Sequence, residues 1–241
     1  NSFATGVRLS ALSAFPITRR WPPRNPDAIQ LYSLPTPNGI KVSTALEEME
    51  LPFDAHLVSF DRNDQFTPEF LSLNPNNKIP AIIDPHGPDG EAIGLFESGA
   101  ILLYLAEKSG KLIPKDAKSR WQTIQWVMFQ MGGIGPMFGQ VGYFHHFAGK
   151  DISDPRPLQR YVEESRRLLG VLERQIEGKE WLMGDYTIAD IAIGPWLRNL
   201  RDYYMGADVV GWKDFPNVNA WLNRFLSRPA VQRGILTPAR G

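Results

Sequence analysis

The sequence predicts an α/β domain with a mixed four-stranded sheet, followed by an all-helical domain. Up to about residue 112, short apolar strands alternate with helical patterns in the order βαβ and then ββα. After Pro114 only helical periodicity is present, and a polar stretch at 111–118 separates the two kinds of pattern. We therefore expect an arm over residues 1–27, an α/β domain over 28–112 and a helical domain over 117–241.

The first half contains the signals of four short strands, at 29–33, 54–58, 81–83 and 92–96. The helix after Asn38 is predicted by an apolar stripe at i, i+3, i+4 and i+7, which consists of Val42, Ala45, Leu46 and Met49. Thr67 and Pro68 are typical of a brief helix start, and the mostly apolar segment 98–108 suits a helix packed on a sheet. This order is typical of small mixed sheets of the thioredoxin-like kind.

The second half shows helical spacing throughout. An aromatic-rich helix is expected at 119–129, and Gly132 to Pro136 should bend or interrupt it. Thr187 and Asp190 form an Asp variant of the capping box, with Thr187 as the N-cap of a further helix. We assign this cap a role in folding rather than in chemistry.

Composition limits the possible functions. Lys plus Arg and Asp plus Glu both number 26, so no broad attraction to nucleic acid or to an anionic membrane is expected. No apolar run approaches the about 18–20 residues that a membrane span needs. The chain has no cysteine, which excludes disulfide scaffolds, thiolate metal sites and a cysteine nucleophile of the protein. Any thiol chemistry must use the thiol of a ligand.

Residues 1–27 carry four arginines and several serines, and they have no acidic residue until Asp27. This composition fits an organelle transit segment or a loosely held arm, and we expect the arm, with Trp21 as a possible anchor. The expected location is cytoplasmic, and organelle targeting stays open.

The segment Thr36-Pro37-Asn38-Gly39 leaves a strand and opens a helix. It reads either as a capped turn with Asn38 as N-cap or as a thiolate site, in which the Thr36 hydroxyl and the Asn38 amide donate hydrogen bonds. Only the anion of a thiol is a useful nucleophile, and donors at a helix terminus lower the thiol pKa from its usual value near about 8.5. Tyr32 and Ser33 are rivals for this role, and we rank Ser33 above Tyr32.

Two further segments suit the ends of a peptide ligand. Lys78 is either an ordinary exposed lysine or a cation for a carboxylate, and the proline at position 80 leaves the backbone of Ile79 free to pair outside the sheet. Ser98 is either the N-cap of a helix or a group that holds an α-carboxylate at the helix start. Glu97 can receive an α-ammonium, and a γ-glutamyl group has both charges.

Together these segments resemble the three glutathione-contacting loops of the glutathione transferase family. The combination of Thr-Pro-Asn-Gly, Pro-Asn-Asn-Lys-Ile-Pro-Ala and Phe-Glu-Ser-Gly-Ala resembles most the Nu class, from about Ala28 to the C-terminus. The resemblance implies the glutathione transferase architecture. It also implies site residues: Thr36 and Asn38 at the glutathione sulfur; Ile79 beside a cis-Pro80 at the cysteinyl unit; Lys78 at the glycyl carboxylate; Glu97 and Ser98 at the γ-glutamyl group; Gln65 as a further contact; and Arg160 reaching toward the neighbouring site of a dimer.

The activity that the resemblance implies is glutathione-dependent reduction of disulfides by a homodimer, with thiolate attack on a disulfide or peroxide and weaker conjugation to electrophiles. Ether or thioether cleavage in aromatic catabolism is an alternative, and a non-catalytic glutathione-binding regulator or carrier is another. The ligand is reduced glutathione or its disulfide.

No metal site is expected, because His145 and His146 lack spaced partners. The aromatic and methionine stretch of the helical region should be divided between core or subunit interface and an apolar acceptor site. It consists of Trp126, Met128, Phe129, Met131, Met137, Phe138, Tyr143 and Phe144.

Overall fold

A computed structural model describes residues 11–240. The elements of the first half, in chain order, are α1 (Ile17–Arg20), β1 (Ile29–Ser33), α2 (Pro37–Glu48), β2 (Phe53–Leu57), α3 (Pro68–Leu73), β3 (Ala81–Asp84), β4 (Ile93–Phe96) and α4 (Ser98–Ser109). The predicted strands and helices of this half are therefore confirmed, with boundaries that differ by one or two residues.

The four strands form one mixed sheet in the order β2-β1-β3-β4. Strand β1 pairs with β2 in parallel and with β3 in antiparallel register, and β4 pairs antiparallel with β3. Every residue of β1 and β3 is buried, as expected for central strands that are covered on both faces. The predicted mixed four-stranded sheet is confirmed.

The second half is helical. Its elements are α5 (Ala117–Phe129), α6 (Gly135–His145), α7 (Arg156–Ile176), α8 (Ile188–Arg198), α9 (Pro216–Leu226) and α10 (Pro229–Ile235). Within residues 11–240, no helix has both the length and the apolar character that crossing a membrane requires.

The glycine-rich stretch after α5, which was expected to bend or interrupt the helix, interrupts the α-helical hydrogen bonding without ending the helical path. Residues Gln130–Ile134 form a π-helical turn, and α6 starts directly at Gly135 with Pro136 in its first turn. Proline is tolerated in a first turn because the N–H that it lacks has no intrahelical acceptor there. Wide π turns recur at functional sites, and this one brings Gln130 and Met131 toward the sheet domain.

Helix α2 lies between the two domains. Its apolar stripe, Val42, Ala45, Leu46 and Met49, is buried in the same core as residues of α5 to α9. On its other side it packs against α10, where the Ser43 hydroxyl donates to the carbonyl oxygen of Gly234 at 2.7 Å. The start of this helix is therefore held in place by the second domain.

The described part of the arm is not loosely held, so that expectation is wrong for residues 11–27. Leu12 and Ile17 are buried in a second core on the far side of the sheet. The Trp21 indole donates to the carbonyl oxygen of Leu57 at 3.0 Å, and the Asp54 carboxylate accepts from two backbone N–H groups of the arm. Residues 1–10 lie outside the described part of the chain.

Candidate active site

The three predicted loops meet at a cleft of about 260 Å³ between the two domains. Such a volume is near the lower end of small-molecule pockets. The lining residues come from α2, from the loop before β3, from the start of α4 and from the π turn of the helical domain. They are Asn38, Asn74, Lys78, Ile79, Pro80, Glu97, Ser98 and Met131.

Thr36, and not Asn38, is the N-cap of α2. The Thr36 side chain accepts from the backbone N–H of Gly39 at 3.3 Å, and Pro37 occupies the first helical position. Gly39 is required because a Cβ there would lie 1.9 Å from the carbonyl oxygen of Leu34. The Thr36 oxygen accepts this bond, so its O–H remains able to donate to a ligand.

Asn38 lies in the first turn of α2 and lines the cleft. Its Oδ1 accepts from the indole N–H of Trp196, on α8, at 3.0 Å. This bond fixes which end of the amide faces the indole, so Nδ2 is the atom left to donate. Trp196 was not predicted to belong to the site, because it is distant in sequence and carries no motif.

The loop before β3 contains the predicted cis peptide bond between Ile79 and Pro80. Asn74, which is buried, donates from Nδ2 to the carbonyl oxygen of Lys78 at 2.6 Å and accepts from the backbone N–H of Asn76 at 2.9 Å. Lys78 is exposed at the rim. Asn74 therefore holds the loop that presents Lys78 and Ile79 to the cleft, a role that was not predicted.

Helix α4 begins at Ser98, and Glu97 occupies the N-cap position with φ +71° and ψ +109°. Of the two readings of Ser98, the one that makes it the N-cap is therefore wrong by one residue, because the cap is the last residue with non-helical dihedrals. No cap hydrogen bond from the Glu97 side chain is present among the described residues. The first N–H groups of α4 thus face the cleft uncapped, and such a helix end favours an anion.

Lys41 is the main feature that sequence reasoning missed. It is fully buried on α2, and its ammonium donates to Ser98 Oγ at 3.1 Å, to Gln130 Oε1, and to Met131 Sδ at 3.6 Å. Burial lowers the pKa of Lys41 to about 7, and the charge of Glu97 opposes this effect. A usable signal was present, since Asn38 and Lys41 are three residues apart and share one helix face.

Several predicted residues lie outside the cleft lining, and Thr36, two residues before Asn38, is one of them. Gln65 is in a turn at Asp64–Phe66, and its buried Oε1 has no hydrogen-bond partner among the described residues. Arg160 is exposed on α7. Of the rival residues, Ser33 is fully buried, and Tyr32 is stacked on His56 with a ring distance of 4.9 Å. Burial raises the pKa of Tyr32, and neither rival lines the cleft.

The aromatic and methionine stretch lies partly in the core and partly at the surface, and its assignment to a subunit interface or an acceptor site stays a prediction. Met131 lines the cleft and Phe138 is fully buried, whereas Met128 and Tyr143 are about half exposed. Within residues 11–240, no group of three His, Cys, Asp or Glu side chains could hold a metal ion.

Comparison with known proteins identifies the family. Family models for the N-terminal and C-terminal domains of glutathione S-transferase match residues 27–107 and 141–229. Disulfide-bond oxidoreductase YfcG of Escherichia coli K12 is 44% identical over 220 residues, which span 88% of this chain and 97% of that protein. The chain belongs to the glutathione S-transferase family. The predicted glutathione transferase architecture is therefore confirmed.

Solved structures of family members are also similar to this chain. A glutathione transferase of Burkholderia graminis, with two glutathione molecules bound per subunit, is 63% identical with a TM-score of 0.96, covering 98% of this chain and 99% of that one. One from Pseudomonas putida, with one glutathione disulfide bound per subunit, is 62% identical with a TM-score of 0.94, covering 95% of this chain and 99% of that one.

Proposed function

We propose that the chain is a glutathione-dependent disulfide-bond reductase of the Nu type. The observation that carries this proposal is the meeting of three loops at one cleft: the Asn38 amide oriented by Trp196, the Ile79 backbone beside a cis-proline, and the open start of α4 at Ser98. These suit the cysteinyl and γ-glutamyl parts of glutathione. The disulfide-bond oxidoreductase name of the relative from Escherichia coli supports the same reaction.

Thr36 and Asn38 are assigned to the glutathione sulfur. The Thr36 hydroxyl and Asn38 Nδ2 lie at the start of α2, where the helix dipole favours negative charge. Hydrogen bonds to the thiolate lower the pKa of the thiol and increase the anionic fraction at neutral pH. Lys78 is assigned to the glycyl carboxylate, and Glu97 and Ser98 to the γ-glutamyl head.

The chemistry uses no thiol of the protein, since the chain has no cysteine. A glutathione thiolate attacks one sulfur of the substrate disulfide, which forms a mixed disulfide and releases the other half as a thiolate. A second glutathione thiolate then attacks the glutathione sulfur of the mixed disulfide. The products are glutathione disulfide and the second substrate thiol, so the two electrons come from two glutathione molecules.

The test is reduction of 2-hydroxyethyl disulfide by glutathione, measured for the wild type, Thr36→Ala and Asn38→Ala. We expect each variant to lose at least about tenfold in kcat/KM, because a hydrogen bond to a charged group contributes about 1.5–3 kcal/mol. Full activity in both variants overturns the assignment of the sulfur site.

Matched controls separate the chemistry from folding. Thr187→Ala also removes a threonine N-cap, but at α8. Asn219→Ala also removes an asparagine that accepts from a tryptophan indole, that of Trp212 at 2.7 Å. Both controls should keep wild-type kcat/KM. Glutathione binding without turnover in the wild type would favour a carrier role instead.

We assign two glutathione molecules, or one glutathione disulfide, to each site. The similar structures that hold these ligands support this stoichiometry. Calorimetric titration of the wild type should give two glutathione molecules per chain and one glutathione disulfide per chain. A stoichiometry of one for glutathione would contradict the two-thiol scheme.

A cytoplasmic homodimer is the assembly that we propose. Large apolar side chains are exposed on both domains, among them Phe66 at 56% and Trp121 at 68%, and we expect the dimer to cover some of them. Arg160 would approach the neighbouring site in such a dimer. Sedimentation analysis should give twice the mass of the chain, and a monomer would contradict this part of the proposal.

A further inference from the structure

Lys41 is a buried cation in contact with the cleft wall and has no part in the scheme above. Its side chain has 0% exposure, although lysine is almost never fully buried unless it is paired. Among the described residues, the acceptors of its ammonium are neutral: Ser98 Oγ, Gln130 Oε1 and Met131 Sδ. The charge is thus kept out of water without a carboxylate in direct contact, which is costly for the fold.

The position of Lys41 suggests what the charge serves. Two of its three contacts, Ser98 and Met131, also line the cleft. Ser98 is the first residue of α4, whose uncapped N-terminus faces the same space. An anion that binds there would lie one side chain away from the ammonium, and it would gain from both the helix end and the buried charge.

We propose that Lys41 is a positioning residue for glutathione: its ammonium orients the Ser98 hydroxyl and supplies a positive charge close to the γ-glutamyl α-carboxylate. The inference rests on the proposed function, because it concerns the same ligand. Since the Ser98 hydroxyl accepts from Lys41, its own hydrogen is directed away from the ammonium. It points to Met131 Sδ at 3.6 Å, a weak acceptor that the carboxylate would replace. The side-chain amide oxygen of Gln130, a residue of the π turn, also accepts from the ammonium.

The charges near Lys41 allow a pH test. Glu97 is the group whose charge acts on Lys41 from α4. Toward the other end of α2, Arg228, which directly precedes α10, is paired with Glu48, and Arg233 on α10 is paired with Glu47. The charged residue at the start of α8, Asp190, accepts from the backbone N–H groups of Leu182 and Thr187 and from the Trp221 indole. Neutral Gln130 and Met131 face Lys41 from the π turn.

Burial lowers the pKa of Lys41 to about 7, so the ammonium is partly deprotonated just above neutral pH. A carboxylate bound beside it favours the charged form and raises that pKa. Binding then takes up protons near pH 7–8, and affinity falls as the pH rises above about 7.

The experiment measures affinity for glutathione and for γ-aminobutyryl-cysteinyl-glycine, which lacks the α-carboxylate. We expect Lys41→Met to weaken glutathione binding at least about tenfold, as for loss of a charge-assisted contact, and to change binding of the analogue less than about threefold. Lys108→Met is the matched control, since it also removes a lysine, one that is partly buried. The Lys108 ammonium pairs with the Asp84 carboxylate at a distance of 2.7 Å, and neither residue lines the cleft. This variant should leave both affinities unchanged.

A second measurement starts from the wild type and uses Lys41→Met as the comparison. Titration of the wild type with S-methylglutathione, in HEPES and in Tris at pH 7.5, should show uptake of a fraction of a proton, because the blocked thiol cannot titrate. Lys41→Met should abolish that uptake.

Equal weakening of both ligands in Lys41→Met indicates a merely structural role and overturns the inference. Unchanged glutathione affinity in that variant, or no proton uptake in the wild type, also overturns it while leaving the proposed function intact. If the wild type binds no glutathione, the proposed function fails, and the assignment of Lys41 fails with it.

Discussion

Helices α8 and α4 begin in opposite ways. At α8, Thr187 has relaxed dihedrals and caps the N–H of Ala189, while Asp190 accepts from the N–H of Thr187. At α4, Glu97 has a positive φ, and its side chain caps nothing among the described residues. The chain satisfies its own N–H groups at α8, where the helix start serves folding. At α4 it leaves the first N–H groups without a side-chain cap, and the Glu97 backbone before them is strained. We expect a ligand in the cleft to use these N–H groups.

The largest effect is expected from Asp190→Ala. The buried carboxylate accepts from the N–H groups of Leu182 and Thr187 and from the Trp221 indole. Each buried donor left without an acceptor costs about 1–3 kcal/mol, so the free energy of unfolding should fall by at least about 3 kcal/mol. Denaturant titration measures this, with exposed Asp185→Ala as the control. A loss below about 1 kcal/mol would show that the start of α8 is not important for folding, which contradicts its contrast with α4.

Ser98→Ala should have a different profile. Glutathione affinity should fall about 10- to 100-fold, since the hydroxyl bonds a charged group. The free energy of unfolding should fall by about 1–3 kcal/mol, less than for Asp190→Ala, because only one donor of the buried Lys41 ammonium loses its acceptor. Calorimetry and denaturant titration check the two quantities. Ser165→Ala is a suitable control, because that buried hydroxyl has no hydrogen-bond partner among the described residues. If Ser98→Ala loses stability and keeps its affinity, α4 begins like α8 and the contrast fails.

Thr187→Ala should reduce the free energy of unfolding by about 0.5–2 kcal/mol, the usual cost of a lost N-cap. The dissociation constant for glutathione should not change, because Thr187 does not line the cleft and its hydrogen bonds are made within the start of α8. Urea titration and calorimetry on the same preparation check both values. A change in affinity as large as that of Ser98→Ala would contradict the separation of folding from binding.

Glu97→Gly should give the smallest change in stability, and in an unusual direction. Glycine accepts a positive φ without strain, so the free energy of unfolding should rise by up to about 1 kcal/mol while glutathione affinity falls. The matched control is Glu91→Gly, where φ is −101° and glycine should only destabilise. Thermal unfolding of the two variants decides the sign, and destabilisation by Glu97→Gly would show that its backbone carries no strain.

Local signals in the sequence were sufficient for most of the fold. The alternation of β2, the Thr67-Pro68 start of α3 and the Thr187 capping box each depend on neighbouring residues, and all are present in the structure. Cap positions at α2 and α4 were displaced by one or two residues, because a cap is defined by dihedrals and not by residue type.

Distant contacts could not be predicted in the same way. The bond between Trp196 and Asn38 joins residues 158 apart, and those of Lys41 to Ser98 and Gln130 span 57 and 89 positions. Docking of the arm depends on Asp54 and Leu57, which carry no sequence signal for it. The loops of the site were thus predictable as segments, whereas the residues that support them required the fold.

The placement of α2 between the domains has a consequence for how the molecule unfolds. The helix carries Thr36 and Asn38 at one end, is clamped by α8 and α10, and shares its core with the helical domain. Because the sheet domain alone would expose that helix face, we expect one cooperative transition rather than two, with α2 and α8 exchanging their amide hydrogens together and slowly. The α2 end of the cleft should therefore persist until the whole molecule unfolds.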